Sequence, residues 1–302
     1  MTTRLAAARY GKENVRLYKV HRDEASGTQT VHEITVCVLL EGEIDQAYTH
    51  ADNSVVVATD SMKNTVYILA KQYPVTPPEL FASVIGTHFV ETYKHIHVAH
   101  VNIVAQRWTR MTIRDKPHPH SFLQTGSETR STDVEVLKNG GINIKSSISG
   151  LSVLKSTHSQ FHGFVRDEFT TLPETWDRIL STDVDTTWQW SNISNIEQVK
   201  NLAPKFDETW DTTRNIVLEI FAQDNSASVQ NTMYKMGEQV LASEPLLISA
   251  EYTLPNKHYF ELDLSWHKGI KNTGKDAEVY VPGSGPSGLI KCTVVRNEKP
   301  KL

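Results

Sequence analysis

Apolar runs of two periods alternate along this chain in an order that occurs twice: two extended, two helical, two extended, then the same again. In the first round, extended runs at residues 15–20 and 30–40 flank a polar loop containing Gly27. Ile34, Val36, Val38 and Leu40 fall on one face of the second run, the spacing of a half-buried strand. Met62, Val66 and Leu69 then form a helical stripe over residues 61–71, with Thr59 and Asp60 as N-cap candidates. Thr76-Pro-Pro-Glu79 reads as a capping box with proline at the first helical position, opening a helix to residue 93. Residues 97–110 and 121–136 are extended again.

After Gly140-Gly141 the second round begins, with extended runs at 142–148 and 152–164, a short helix at 173–180 and a strand at 186–190. Helices at 207–222 and 226–242 precede strands at 247–264 and 278–295. This order predicts an α+β chain of two tandem ββααββ domains, residues 1–140 and 141–302, with antiparallel sheets and segregated helices. The duplication is one of element order, without a residue-level repeat. A four-stranded sheet covered on one face leaves two open edges, and pairing them between subunits into a barrel would remove them, which favours a homo-oligomer.

Several function classes drop out. A net charge of −4 over 302 residues sets up no field for nucleic acid or an anionic membrane, and no cationic stripe with interleaved aromatics occurs. No run approaches the roughly 18 apolar residues of a membrane span, and the start lacks a signal-peptide apolar core. The two cysteines, Cys37 and Cys292, sit in separate strand-like runs and form neither a metal motif nor a disulfide framework, as expected of a reducing compartment. Pro300-Lys301-Leu302 differs from the peroxisomal Ser-Lys-Leu address at its first position.

Some motifs have plain readings. Gly283-Ser-Gly-Pro-Ser-Gly288 matches a dinucleotide loop, but a strand-like run follows it where a helix must open, so it reads as a loop between strands. His95, His97, His100, His118 and His120 suggest zinc or copper, yet no carboxylate or thiolate stands nearby in sequence at a helpful spacing. Trp188, Trp190 and Trp210 read as core. Asn256 and His258 share one face of a strand while Lys257 points away, which makes either a satisfied buried network or part of a reaction site. Lys12 taken alone is a surface lysine. Arg178 could pair with Glu174 on a helix, and Gln230 could sit on an ordinary helix face.

Six blocks in order change the weight of these residues: Ala8-Arg-Tyr-Gly-Lys12, Val57-Ala-Thr-Asp60, the stretch from Lys155 to Phe161, Trp176-Asp-Arg178, Asn225-Ser-Ala-Ser-Val-Gln230 and Leu254-Pro-Asn-Lys-His258. Through them the chain resembles the urate oxidase (uricase) family nearly end to end. The resemblance implies the tunnelling fold, in which a dimer closes a barrel and two barrels stack as a homotetramer. It implies oxidation of urate by O2 without cofactor or metal, giving 5-hydroxyisourate and hydrogen peroxide. Arg178 and Gln230 would hold the purine edges, the Val229 N–H would add a contact, and Phe161 would stack on the ring. Lys12, Thr59 and His258 would move protons, Asn256 with Thr59 would bind oxygen above the ring, and Asp60 would complete the substrate site. By the same resemblance Lys12, Thr59 and Asp60 would face the other residues across a subunit interface. His162 stands where a tryptophan is common in fungal relatives, and it should point away from the stacking face. A peroxide product suits the peroxisome, with the cytoplasm as the location if the Pro300-Lys301-Leu302 variant is not read by the import receptor. Two alternatives remain at this stage: a metal-dependent purine or pterin enzyme on the same fold, and a purine-binding oligomer that does not catalyse.

Overall fold

The computed structural model describes residues 3–297, so Pro300-Lys301-Leu302 lies outside the described residues. The first round is built from β1 (Tyr10–Arg22), β2 (Gln29–Gly42), the short α1 (Asp45–Thr49), α2 (Thr59–Gln72), α3 (Pro78–Thr92), β3 (Ile96–Ile113) and β4 (Lys116–Leu137). The second comprises β5 (Ile142–Lys155), β6 (Leu180–Trp190), α4 (Ile196–Gln223), α5 (Val229–Ser243), β7 (Leu247–Lys257), a ribbon of β8 (Tyr259–Glu261) with β9 (Tyr280–Pro282), and β10 (Gly288–Val295). Eight strands form one antiparallel sheet in the order β1-β2-β3-β4-β5-β6-β7-β10. The two rounds therefore fuse edge to edge, with Thr129 opposite Ser149 through to Val136 opposite Ile142. Gly140 and Gly141 turn the chain between them at φ 113° and 94°, a region that a side chain rarely tolerates. Among the described residues the sheet stays open, since β1 and β10 are each paired on one side only.

The duplication that the residues hide appears in the packing. Gly86 of α3 lies against Val136 of β4, where an added Cβ would stand 2.5 Å from the valine Cγ2. Gly237 of α5 meets Val294 of β10 in the same way, at the same 2.5 Å. Each glycine also faces the third strand of its own round, Val101 in one and Tyr252 in the other. Only a residue without a side chain lets each second helix sit this low on its sheet.

One continuous core runs under all four long helices, and the alternation read in β2 holds: Ile34, Val36, Val38 and Leu40 are buried. Trp188, Trp190 and Trp210 are buried as well; Trp190 donates to the Ser146 hydroxyl at 3.0 Å and Trp210 to the Ser147 carbonyl at 3.3 Å. No helix among the described residues is long and apolar enough to cross a membrane.

Several local expectations fail for identifiable reasons. Glu79 does not cap α3, because Pro77 is the N-cap and makes no side-chain bond there. The Glu79 carboxylate is instead fully buried between Arg130 at 2.7 Å and the Ser146 hydroxyl at 2.7 Å, where it pairs the two rounds. Thr59 and Asp60 do not cap α2 but form its first turn, after Ala58. The helix expected at 173–180 is absent: Thr175 bridges to Phe161 and Leu180 already starts β6. The strand expected at 152–164 ends at Lys155, and that expected at 247–264 breaks after Lys257. α4 starts at Ile196, well before 207, with Asn195 capping it at 3.0 Å and Pro204 absorbed in its interior. Proline removes one backbone donor and disfavours a helix locally, but the cap and the buried stripe of Val199, Phe206, Trp210 and Val217 outweigh it.

Candidate active site

Backbone bonds gather the second round's candidates at one end of the sheet. Phe161 pairs with Thr175 in both directions, at 2.8 and 3.0 Å. The Gln160 N–H donates to the Ser226 carbonyl at 2.7 Å, and the Ser226 N–H donates to the His158 carbonyl at 3.0 Å. Ser226 leads directly into α5, whose first residues are Val229 and Gln230 and whose N-cap Ser228 accepts from the Asn231 N–H. The head of a helix presents backbone N–H groups that its own turns leave unused, a favourable seat for an anion. The purine-stacking candidate is thereby tied to both edge-binding candidates.

Arg178 comes from the strand entry just before β6. Its guanidinium carbon lies 5.2 Å from the centroid of the Phe161 ring. Its Nε is shielded from water and has no hydrogen-bond partner among the described residues, and the burial of the guanidinium lowers its pKa. Pairing with Glu174 does not occur, because Glu174 accepts from the Gly163 N–H at 2.9 Å. Phe161 stacks on Phe164 at 4.9 Å, while His162 turns the other way onto Trp176 at 5.4 Å, as the alternation requires.

Asn256 and His258 stand at the same end of the sheet, where β7 runs out beside the start of β6; Thr182 of β6 is opposite Asn256. A Cβ built on Gly288 of β10 would lie 3.5 Å from the Asn256 Cβ and 3.9 Å from the His258 Nε2, so both side chains border one gap that this glycine leaves open. Lys257 points away, to Asp183 at 2.5 Å.

Lys12, Thr59 and Asp60 form a second cluster. The Tyr10 hydroxyl accepts from the Val57 N–H at 2.7 Å and so fixes the entry to α2 against β1, two residues before Thr59 and two before Lys12. Burial raises the Tyr10 pKa, which keeps the hydroxyl neutral. Thr59 is half-buried in the first turn of α2. Exposed Asp60 accepts from Lys63 at 2.6 Å and from Asn64 at 3.1 Å; that bond to Lys63 and its charge hold the Asp60 carboxyl below the usual range, and Lys12 adds to this. Directly after Lys12 the ladder slips between Lys12 and Val15, with Asn14 at φ 56°, so Lys12 ends a regular stretch of the edge strand.

The chain does not bring its two clusters together. Strands β2 to β6 separate β1 from β7, and six strand spacings amount to roughly 29 Å along the sheet. Sequence reading missed Tyr10 and Gly288, although Tyr10 lies in the same block as Lys12 and on the same strand face. A cavity of about 690 Å³ elsewhere on the sheet is lined by Arg9, Cys37, His100, Asp133, Glu135 and Lys145 and contains none of the candidates.

The histidines also separate. His100 faces Glu41 at 2.8 Å and Glu135 at 3.7 Å, carboxylates that its sequence neighbourhood does not show. His97 pairs with Glu43 at 3.3 Å, and His118 packs edge-on against His120. Among the described residues no three His, Cys, Asp or Glu side chains are placed to hold a metal ion.

The family model of uricase matches residues 8–135 and 144–291, most of the chain. The chain belongs to the uricase family. It is 68% identical to the uricase of Emericella nidulans over 298 residues, covering 99% of each chain. It is equally 68% identical to the uricase of Aspergillus flavus, covering 98% of each. The crystal structure of the uricase from Arthrobacter globiformis superposes with a TM-score of 0.87 at 36% identity, over 98% of this chain and 96% of that one. The eight-stranded sheet with two tandem repeats is thus a uricase fold, and the two clusters lie on a uricase framework.

Proposed function

We propose that this uricase-family chain oxidises urate with O2 and water to 5-hydroxyisourate and hydrogen peroxide, at a site assembled from two subunits. The observation that carries the reading is the buried Arg178 Nε, unpartnered among the described residues, with its guanidinium above Phe161, whose neighbour Gln160 is bonded to Ser226 just ahead of α5. A planar anion stacked on Phe161 would offer that guanidinium the acceptors it lacks, and a rigid fork suits adjacent acceptors better than a lysine would. Gln230 complements the opposite edge as both donor and acceptor, and the Val229 N–H contributes the helix head. An analogue without one matching atom leaves buried groups unpaired, which is the source of selectivity.

His258 and Asn256 border the gap beside Gly288 on one side of the site, and oxygen, then peroxide, then water bind there with help from Thr59. Thr59 and Lys12 relay the proton that leaves urate, and Asp60 completes the substrate pocket. Electrons come from the urate dianion itself: O2 is reduced to peroxide, a hydroperoxide at the ring releases hydrogen peroxide, and water supplies the hydroxyl of the product. No cofactor enters this scheme.

The separation of the two clusters and the two open edges support a barrel closed by a second copy, in which β1 of one subunit meets β10 of the other. Two such barrels stack as a homotetramer of tandem domains 1–140 and 141–302, placed in the peroxisome by Pro300-Lys301-Leu302 or otherwise in the cytoplasm. Mixing Lys12→Met with Arg178→Met subunits tests the shared site. In randomly reassembled dimers half are mixed, and each mixed dimer has one intact site, so about a quarter of wild-type activity should return. No recovery from a verified mixture would overturn the cross-subunit site.

A further inference from the structure

We propose that Asp177 is a positioning residue for the purine site, one that locks the turn carrying Phe161 to the strand entry carrying Arg178. The inference rests on the urate reading above. The Asp177 carboxylate accepts from the His158 N–H at 2.9 Å and from the Thr157 hydroxyl at 2.9 and 2.8 Å. The Thr175 hydroxyl donates to the Asp177 carbonyl at 2.8 Å. Asp177, Thr157 and His158 are all exposed, so core packing does not account for this arrangement.

His158 takes a left-handed φ of 61°. A residue with a Cβ adopts that conformation at a cost and keeps it only where its surroundings enforce it. Enforcement comes from both sides: Asp177 holds the His158 N–H, and the Ser226 N–H holds the His158 carbonyl at 3.0 Å. Three residues later Phe161 pairs twice with Thr175, two residues before Asp177. The bonds at 157–158 with 177 and at 161 with 175 close a small loop, and Arg178 follows it immediately. Remove the first and the 5.2 Å spacing between Phe161 and Arg178 depends on one bridge alone.

Charge points the same way. Among the described residues no cation pairs with the Asp177 carboxylate, although Arg178 is its neighbour in sequence. The carboxylate is engaged by neutral donors, and the guanidinium turns onto the Phe161 ring. The lock thus leaves the cation available to an anionic ring.

The test compares Asp177→Ala, Asp177→Asn and Thr157→Val in the full assembly. It reads affinity for an unreactive urate analogue, KM and kcat for urate, Tm, and amide exchange over residues 157–161. Misplacing a binding group by about 1 Å can cost up to about a hundredfold, so Asp177→Ala should raise analogue Kd and KM by roughly 10- to 100-fold. Its Tm should stay near wild type. Asp177→Asn keeps an accepting oxygen and should recover most of the loss, with Thr157→Val in between. Unchanged affinity and KM in Asp177→Ala would overturn the inference, as would equal losses in Ala and Asn accompanied by a fallen Tm. Wild-type protein that binds no analogue would sink the urate reading instead. The lock is then judged by exchange alone, with deprotection of 157–161 in Asp177→Ala supporting it and unchanged protection refuting it.

Discussion

Replacing Arg178 with methionine should sharply weaken binding of a urate analogue without destabilising the ligand-free protein. Arg178 keeps its Nε buried without a partner, with the guanidinium 5.2 Å over Phe161. An unpaired buried donor costs about 1–3 kcal/mol, and a cation over an aromatic ring returns about 0.5–2 kcal/mol. The two terms nearly cancel, so an apolar side chain of similar length leaves stability within about 2 kcal/mol of wild type, or above it. Each kcal/mol moves Tm by about 2–4 °C in a domain of this order, so any fall should stay within several degrees. Binding loses far more. Two charge-assisted hydrogen bonds at about 1.5–3 kcal/mol each make a deficit of about 3–6 kcal/mol. At about 1.4 kcal/mol per decade, affinity should drop by roughly 10² to 10⁴. Calorimetric titration with an unreactive analogue and a thermal melt read the two effects separately. A Tm loss well beyond about 8 °C together with unchanged affinity would refute the reasoning and make Arg178 a structural residue.

Lys12→Met and Thr59→Ala should lower turnover by orders of magnitude while analogue binding stays largely intact; lost binding with normal turnover of bound urate would contradict their roles as proton carriers. Gly86→Ala and Gly237→Ala should each destabilise by about 1–3 kcal/mol in urea unfolding, because the new methyl meets a valine in a close-packed layer. Trimming the facing residue, Val136→Ala or Val294→Ala, should relieve part of that cost, and two fully additive losses would mean that the contact is not the cause. Asp224 gives an acid dependence. Burial opposes its ionisation, but Lys235 and Thr232 outweigh this and hold its pKa below the usual carboxylate value. Its contribution is therefore present above the unfolded carboxylate pKa of about 3.9 and is lost as pH falls through the folded value. Melts across that range should show a shallower acid loss in Asp224→Asn than in wild type, and identical slopes would count against the linkage.

Much of the framework was legible because local periodicity records which face of an element is buried. Ile34 to Leu40 alternated and are buried on one side, and the ββααββ order survives as two sets of four adjacent strands. Partners distant in the chain were not legible. Glu79 had the spacing of a capping box, yet its carboxylate lies between Arg130 and Ser146, one on each repeat. The stretch 173–180 had helical spacing, but the bridge from Thr175 to Phe161 holds it extended. His100 lacked nearby acids in sequence and found Glu41 and Glu135 across the sheet. At the site, the shared face of Asn256 and His258 followed from strand alternation alone. The approach of Arg178 to Phe161 did not, because it depends on a turn closed by residues about twenty apart, Thr157 with Asp177. The roles of the individual site residues came from family resemblance, and no periodicity would have supplied them.

The most direct test is urate-dependent oxygen uptake by the purified, chelator-treated assembly, with urate and hydrogen peroxide followed in parallel. The account predicts that urate and oxygen disappear one for one, that peroxide appears in equal amount, and that the rate is indifferent to chelation. Urate bound without oxygen uptake, or activity abolished by the chelator and restored by a metal, would contradict it.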